Sequence, residues 1–236
     1  MQTQKLENII GPLADSFKKL NPKTIQHSHE IMSQRYMEES LRSNWFYTAD
    51  FQLYSVENGK VYLNMATKEN NLIFKHIDEA TKQLIKENDY FPAKKEADKI
   101  VKAKSTLKID LAKLTLVKND NECSYFNIST TNYDKLNKAE RVLAERVYGS
   151  GEDFKKNMEM LDKAGIKETR IYVLNENYVK DNAKDSYLGR ASGLSGFDCG
   201  SWFYACYRDV WIDDALRGVR LSAASGASAK NLEHKL

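Results

Sequence analysis

Two cysteines near the end of the chain are the residues whose chemistry could be catalytic. Cys199 and Cys206 lie close in sequence, and such thiols could take part in redox chemistry or hold a copper ion. No histidine occurs between residues 77 and 233, so a mixed His/Cys metal site would need distant ligands. The sequence also has no glycine-rich phosphate loop, no Ser/His/Asp order and no His-Glu-x-x-His helix. We therefore predict no metal and no cofactor, with a copper or thiol enzyme as the alternative.

The same region is rich in residue types that bind rather than react. Tyrosine and tryptophan offer rigid contact area with few torsions, and glycine, serine and aspartate offer adaptable hydrogen bonding. Exposed clusters of large rings usually mark binding sites. The sequence predicts one solvent-exposed face made of Trp202, Tyr204, Tyr207, Asp209, Trp211 and Asp214. Three further residues are predicted to point inward as anchors: Phe197, Phe203 and Val210.

Composition changes abruptly in this region. Residues 187–229, called the window below, contain no Lys, Glu, Gln, Met or Asn, whereas residues 1–186 carry 25 Lys and 16 Glu. An ordinary loop rich in small residues would explain the glycines but not the loss of Lys and Glu from a surface segment. Positions that mix chemical types without periodicity are the candidate ligand contacts: Gly193, Ser195, Gly196, Cys199, Gly200, Trp202, Tyr204, Cys206, Tyr207, Asp209, Trp211, Ile212, Asp214 and Ala215.

Most residue types at these positions share a relationship at the codon level. Gly, Ser, Cys, Tyr, Asp, Ile and Ala can all be reached from an asparagine codon by changing only adenines. The missing Lys, Glu, Gln and Met cannot. Tryptophan cannot be reached in this way either, so Trp202 and Trp211 need another template codon or are fixed. The pattern favours a diversified surface over the remaining alternative, an interaction module with an unvarying aromatic patch.

Length and charge limit the class of protein. The chain has 236 residues, enough for one large domain. Its net charge of +3, with Lys and Glu interleaved, gives no reason to expect nucleic acid. No apolar run approaches the roughly 18 residues of a membrane span, and the first residues lack a signal-peptide core. We expect a cytoplasmic or virion-associated protein by default, whose ligand is an unknown protein or other macromolecule.

The elements that must position these residues follow from periodicity and turn signals. Asn58-Gly59 between two aromatic, β-branched runs predicts a hairpin across residues 45–66. Helices are predicted at residues 5–20, 28–41, 76–88, 93–104, 133–148 and 152–164, and short strands at 114–117, 125–128 and 170–174. After Leu188 the pattern is irregular until a short strand at residues 217–221. The fold class is α+β, and its long irregular stretch coincides with the window.

Two short motifs bracket the candidate contacts. Gly189-Arg-Ala-Ser-Gly193 is similar to the Arg-Gly-Gly-Ser-Trp element that opens variable regions on a C-type lectin fold. Leu216-Arg-Gly-Val-Arg-Leu221 is similar to the Gly-Phe-Arg-Leu element of the last strand in formylglycine-generating-enzyme-type C-type lectin domains. With the scattered small, aromatic and acidic positions, the chain resembles the variable protein of a diversity-generating retroelement. In that family a reverse transcriptase copies a template repeat with errors at adenines and rewrites the 3′ end of the target gene.

The resemblance implies a C-type lectin-like domain with added N-terminal and inserted helices. Its expected divisions are a helical segment at residues 1–43, the main domain at 44–221 with a variable region at about 189–221, and a flexible tail at 222–236. The strand at 217–221 is expected to be central, with Val219 and Leu221 facing the core, and to pair with the early hairpin. The implied function is non-catalytic ligand binding by a hypervariable surface. The alternative is a copper/thiol oxidase like the formylglycine-generating enzymes, using Cys199 and Cys206.

Overall fold

The chain is described by a computed structural model over residues 7–9, 26–67, 70–76, 79–80, 83–84, 89–204 and 216–218. Its strands are β1 (Glu7–Ile9), β2 (Phe46–Glu57), β3 (Lys60–Met65), β4 (Leu107–Asp110), β5 (Val117–Lys118), β6 (Cys123–Ser129), β7 (Glu168–Leu174), β8 (Tyr187–Leu194), β9 (Phe203–Tyr204) and β10 (Leu216–Gly218). Eight of them form one sheet in the order β4-β3-β2-β8-β9-β7-β6-β5, and β1 pairs with β10. The combination of helices with a largely antiparallel sheet confirms the predicted α+β class.

The predicted hairpin is confirmed as β2 and β3. The two strands pair antiparallel as far as Glu57 opposite Lys60. Between them, Asn58 and Gly59 have positive φ angles of 51° and 76°. A two-residue turn of this kind needs positive φ at both central positions, which Asn and Gly adopt at low cost.

Strand β8 corrects the prediction of an irregular chain after Leu188. It pairs with β2 along most of its length and with β9 at its end. Because the strand is central, its residues meet neighbours on both faces and show no alternation of apolar and polar types. Gly189 shows how close these neighbours are, since a Cβ there would lie 2.8 Å from the Phe51 ring. The window therefore begins in the middle of the sheet.

Helices cover both faces of β2 and bury two apolar clusters. The helices are α1 (Ser28–Met37), α2 (Leu72–Lys75), α3 (Lys94–Lys102), α4 (Lys138–Tyr148), α5 (Glu152–Lys163) and α6 (Glu176–Asn182). The larger cluster joins α1, α4 and α5 to the sheet through residues such as Ile31, Leu143 and Phe154. The smaller one packs α2 and α3 against Phe51 and Leu53. Within the described ranges, no helix is long and apolar enough to cross a bilayer.

Most helix predictions are confirmed, with corrections at short elements. The helix predicted at 133–148 starts only at Lys138, because the Asn137 side chain caps it by accepting from the Ala139 and Glu140 amides. The strand predicted at 114–117 is reduced to Val117–Lys118, while β4 and α6 were not predicted. Short apolar runs carry too little periodicity to separate strand from turn. The helix predicted at 76–88 lies largely outside the described residues.

The chain ends meet, but through a pairing that the sequence did not indicate. Over the described residues 216–218, β10 pairs antiparallel with β1, with Arg217 opposite Asn8, rather than with the predicted hairpin. The helix predicted at 5–20 is wrong at residues 7–9, which form β1. An extended edge there satisfies the backbone groups of both short strands at once. Residues 219–221 and the tail lie outside the described residues, and the expected domain boundaries stay predictions.

A buried carboxylate fixes the start of α1 to the sheet. Asp50 on β2 lies 2.8 Å from His27 Nδ1 and accepts a hydrogen bond of 2.8 Å from the Ser28 amide. Burial alone would raise the pKa of Asp50, but the hydrogen bond and charge of His27, the charge of Arg146 and the Ser28 amide hold it below its ordinary value. The Glu30 side chain accepts from the His27 amide at 2.6 Å and completes the cap.

We expect acid to weaken this anchor through His29. Its ring stacks on His27 at 5.4 Å, and burial lowers its pKa, against the opposing pull of Asp50 and Glu30. The folded-state pKa of His29 is below the unfolded value of about 6.5, so its contribution to stability is fully present above about pH 6.5. That contribution is lost as the pH falls from there through the folded-state pKa. The melting temperature should therefore fall less between pH 7.5 and pH 5.5 for His29→Gln than for the native chain, as measured by calorimetry. Equal falls would contradict this.

Candidate functional site

The structure describes seven of the fourteen candidate contacts. These are Gly193, Ser195, Gly196, Cys199, Gly200, Trp202 and Tyr204. The other seven lie outside the described residues: Cys206, Tyr207, Asp209, Trp211, Ile212, Asp214 and Ala215. The described candidates run from the end of β8, through a loop, to β9.

The loop at residues 195–202 is closed by its own hydrogen bonds. The Ser195 amide donates to the Trp202 carbonyl at 2.9 Å, and the Trp202 amide donates to the Ser195 hydroxyl at 2.8 Å. The Ser201 amide donates to the Gly196 carbonyl at 2.9 Å. Ser195 is fully buried, so its side chain serves the loop backbone rather than a ligand. This corrects its place among the predicted contacts.

Residues outside the window hold this loop in place through hydrogen bonds. The buried Arg35 guanidinium on α1 donates to the Ser201 hydroxyl at 3.0 Å, and the Tyr148 hydroxyl on α4 donates to the Ser201 carbonyl at 2.8 Å. Burial lowers the pKa of Arg35 to about 9, which leaves it charged at neutral pH. Ser201 itself has a positive φ of 54°, a conformation that these bonds stabilise.

The glycines of the loop differ in the space around them. A Cβ at Gly196 would lie 2.6 Å from the Ser43 carbonyl oxygen, and Gly200 has a φ of +83°. A side chain would therefore clash with the backbone at Gly196 and be strained at Gly200, so both positions favour glycine. At Gly193 the nearest atom to a Cβ would be the Phe46 carbonyl oxygen at 3.5 Å, an ordinary contact. Of these three candidate contacts, only Gly193 has room for a larger residue.

Rings from the window stack on rings that lie outside it. We call this surface the aromatic face and define it by Trp45, Tyr125, Arg170, Tyr172, Trp202 and Tyr204. The Tyr204 ring lies between Trp45, 5.6 Å away, and Tyr172, 4.9 Å away, and is nearly parallel to both. Trp202 meets Tyr204 edge-on at 6.0 Å. Ring pairs of this kind contribute about 0.5–1.5 kcal/mol each beyond burial.

The outcomes for the predicted rings are mixed. Phe203 is fully buried, as predicted, and Trp202 is half-buried. The exposed position predicted for Tyr204 is wrong, because stacking between two rings leaves the residue only 5% exposed. Phe197 is half-buried rather than fully inward and lines a cleft of about 660 Å³ with Tyr36, Arg42 and Met160.

Arg170 occupies the centre of the aromatic face. Its guanidinium carbon lies 4.6 Å from the Tyr125 ring centre and 4.8 Å from that of Trp202. A hydrogen bond with Tyr172 is the largest of the effects that raise the pKa of Arg170. Sequence reasoning missed this residue and its neighbours on β6 and β7. Alternation along Tyr125, Asn127, Arg170 and Tyr172 was the available signal, because those positions face the same side of paired strands.

The cysteines give little support to thiol chemistry. Cys199 is free and half-buried, and burial, with the charge of Asp198, raises the pKa of its thiol. A reactive cysteine needs the opposite shift, toward thiolate at neutral pH. Cys123 is buried and disulfide-bonded. Among the described residues, no group of three or more His, Cys, Asp or Glu side chains could hold a metal ion.

Comparison with known proteins identifies the fold. No family model matches the chain, and no curated protein does. A solved structure of a protein that accommodates massive sequence variation in Nanoarchaeota by the C-type lectin fold matches with a TM-score of 0.56 and 15% identity. The match covers 92% of this chain and 98% of that one. The chain therefore has a C-type lectin fold, as the two short motifs implied.

The glycines provide a matched test of which positions tolerate a side chain. Gly193→Ala should change the free energy of unfolding by no more than about 0.5 kcal/mol, because the site has room. Gly196→Ala forces a methyl group against the Ser43 backbone and should destabilise by about 1–3 kcal/mol. Urea unfolding of both variants measures the difference. Equal stabilities would show that the loop adapts and that residue 196 is not restricted to glycine.

Two neighbouring rings test the division between anchor and display positions. Phe203→Ala removes a fully buried ring and should cost about 3–5 kcal/mol, or roughly 6–20 °C in melting temperature. Trp202→Ala removes a half-buried ring and should lower the melting temperature by less than half as much. If the two variants melt together, Trp202 is a core residue and the distinction fails.

Proposed function

We propose that this protein is a non-catalytic ligand-binding protein whose C-terminal surface is diversified by a retroelement through adenine-directed mutagenesis. Its variable side chains are displayed on a fixed C-type lectin scaffold and bind a protein or another macromolecule. The observation that carries the proposal is the aromatic face, in which Trp202 and Tyr204 from the window pack on Arg170 and Tyr172 of β7. Tyr125 of β6 contacts both β7 residues in turn.

A diversifiable surface needs a backbone that holds its shape while its side chains change. The loop at residues 195–202 meets this requirement, because its hydrogen bonds use backbone groups and the buried hydroxyls of Ser195 and Ser201. The window therefore divides into locked positions, such as Gly196 and Phe203, and positions with solvent access, such as Gly193 and Trp202. Replacements at the second kind typically change stability by less than about 0.5 kcal/mol when little packing is lost.

The structural neighbour supports the same function. It is a protein in which the C-type lectin fold accommodates massive sequence variation. The composition break and the codon pattern of this chain point to variation of the same kind. The two lines are independent, since one rests on backbone geometry and the other on residue types in the window.

The chemistry of the face suits a macromolecular partner. Tryptophan, tyrosine and arginine are the residues that most often dominate binding energy at protein interfaces. Here Trp45, Tyr125, Arg170 and Trp202 are partly exposed, and they pack on the buried rings of Tyr172 and Tyr204. The copper/thiol oxidase alternative gains no support from the described residues, because the Cys199 thiol is held toward its protonated form.

The DNA around the gene tests this function directly. We expect a near-copy of the 3′ end beside a reverse transcriptase gene, with adenines in the template codons for residues 193, 199 and 202. Copies of the gene should differ at these positions and agree at residues 196 and 200, where a side chain would clash or be strained. Sequencing the locus and several sister copies measures both. Absence of a template repeat and of a reverse transcriptase gene would reject diversification.

A further inference from the structure

Arg170 is a fixed residue held between a fixed ring and a window ring. It lies on β7, outside the window, and Tyr125 on β6 covers its guanidinium from one direction at 4.6 Å. Trp202 in the window covers it from another at 4.8 Å. Glu168 Oε1 lies 3.7 Å from Arg170 Nη2, beyond hydrogen-bonding distance.

We propose that Arg170 is a constant specificity-determining residue of the aromatic face that selects ligands bearing a carboxylate, and that the residue written at position 202 sets its position. This inference rests on the proposed function and names the ligand chemistry and the coupling within that surface. One rewritten position would then change two features of the surface: its own side chain and the presentation of an arginine that is never rewritten.

The ligand class follows from the groups around the guanidinium. Arginine has five N–H donors, no acceptor, and a planar fork that matches a carboxylate with two parallel hydrogen bonds. The Tyr125 and Trp202 rings pack over the guanidinium, so a ligand would approach it along its edge. Tyr172 occupies part of that edge through its hydrogen bond, and the more exposed Glu168 forms an ion pair at 3.7 Å that a ligand carboxylate would replace.

The coupling follows from the unequal origins of the two rings. Tyr125 is constant, so its contact survives any change in the window. A residue without a ring at position 202 removes the second contact and releases a long, flexible side chain. The arginine would then sample several rotamers and lose the order that favours bidentate binding.

The coupling can be measured without a ligand, from the side-chain Nε–Hε resonance of Arg170 in the ¹⁵N-labelled full chain. We expect a ring-current displacement in the native chain that is kept in Trp202→Phe and reduced in Trp202→Leu, which preserves apolar bulk without a ring and leaves only the Tyr125 contribution. Cys199→Ser, a window change that leaves both rings in place, is the control. An unchanged Arg170 resonance in folded Trp202→Leu would overturn the coupling.

The ligand class is tested with acetate against chloride at constant ionic strength. The native Arg170 resonance should shift saturably with acetate and little with chloride, and the acetate affinity should be severalfold weaker in Trp202→Leu. The Trp202 indole resonance should respond to acetate in the native chain but not in Arg170→Lys, which lacks the fork. Equal responses to both anions, or an unchanged response in Arg170→Lys, would overturn the assignment. These spectra do not depend on the gene's locus, so this inference and the proposed function fail separately.

Discussion

The loop at residues 195–202 depends on the hydrogen bonds of the buried Arg35 guanidinium. The guanidinium donates to the Ser201 hydroxyl in the loop and to the backbone carbonyls of Leu41 and Asn44. One side chain thus ties α1, the segment after it and the loop to one another. A buried charge is tolerated only when its donors are satisfied, so these three elements are held in one arrangement. Removing Arg35 would expose several unpaired acceptors at once, whereas changing Trp202 exposes none.

The same logic explains why a surface can vary above a fixed sheet. Backbone groups of the loop are paired with one another or with framework side chains, and Phe203 anchors the following strand in the main core. Side chains that point outward from this arrangement contribute contacts but no backbone support. Tyr204 has features of both supporting and outward-pointing residues, because it belongs to the window but is buried between Trp45 and Tyr172. Changes at that position should affect stability as well as binding, unlike changes at Gly193.

Much of the fold could be predicted from the sequence where an element is specified by residues close together in the chain. The Asn58-Gly59 turn is a short-range physical requirement, and it predicted its hairpin correctly, whereas the Asn137 cap that starts α4 was missed. Strand β8 was missed because central strands lose the alternation that identifies half-buried ones. The pairing of β1 with β10 joins residues at opposite ends of the chain, which no local pattern specifies. Part of the site could be predicted for the same reason, because composition identified Trp202 and Tyr204 as candidate contacts. The other part could not, because only strand pairing brings Tyr125, Arg170 and Tyr172 into the aromatic face.

The short motif that opens the window has a structural role at its arginine. Arg190 is buried and bonds Asp89 Oδ1 at 2.6 Å, with the Tyr178 hydroxyl at 3.2 Å and Glu122 at 3.4 Å. Burial is the main reason that the pKa of Asp89 is raised, and Arg190 opposes that shift. Breaking such a buried pair typically costs about 3–5 kcal/mol, so this end of β8 tolerates little change. Three residues further along, a Cβ at Gly193 would meet its nearest atom, the Phe46 carbonyl oxygen, at an ordinary contact distance of 3.5 Å. The strand therefore passes from a buried ionic cluster to a half-buried position within one span of the sheet, so burial along β8 separates a position that tolerates little change from one that can accept a side chain.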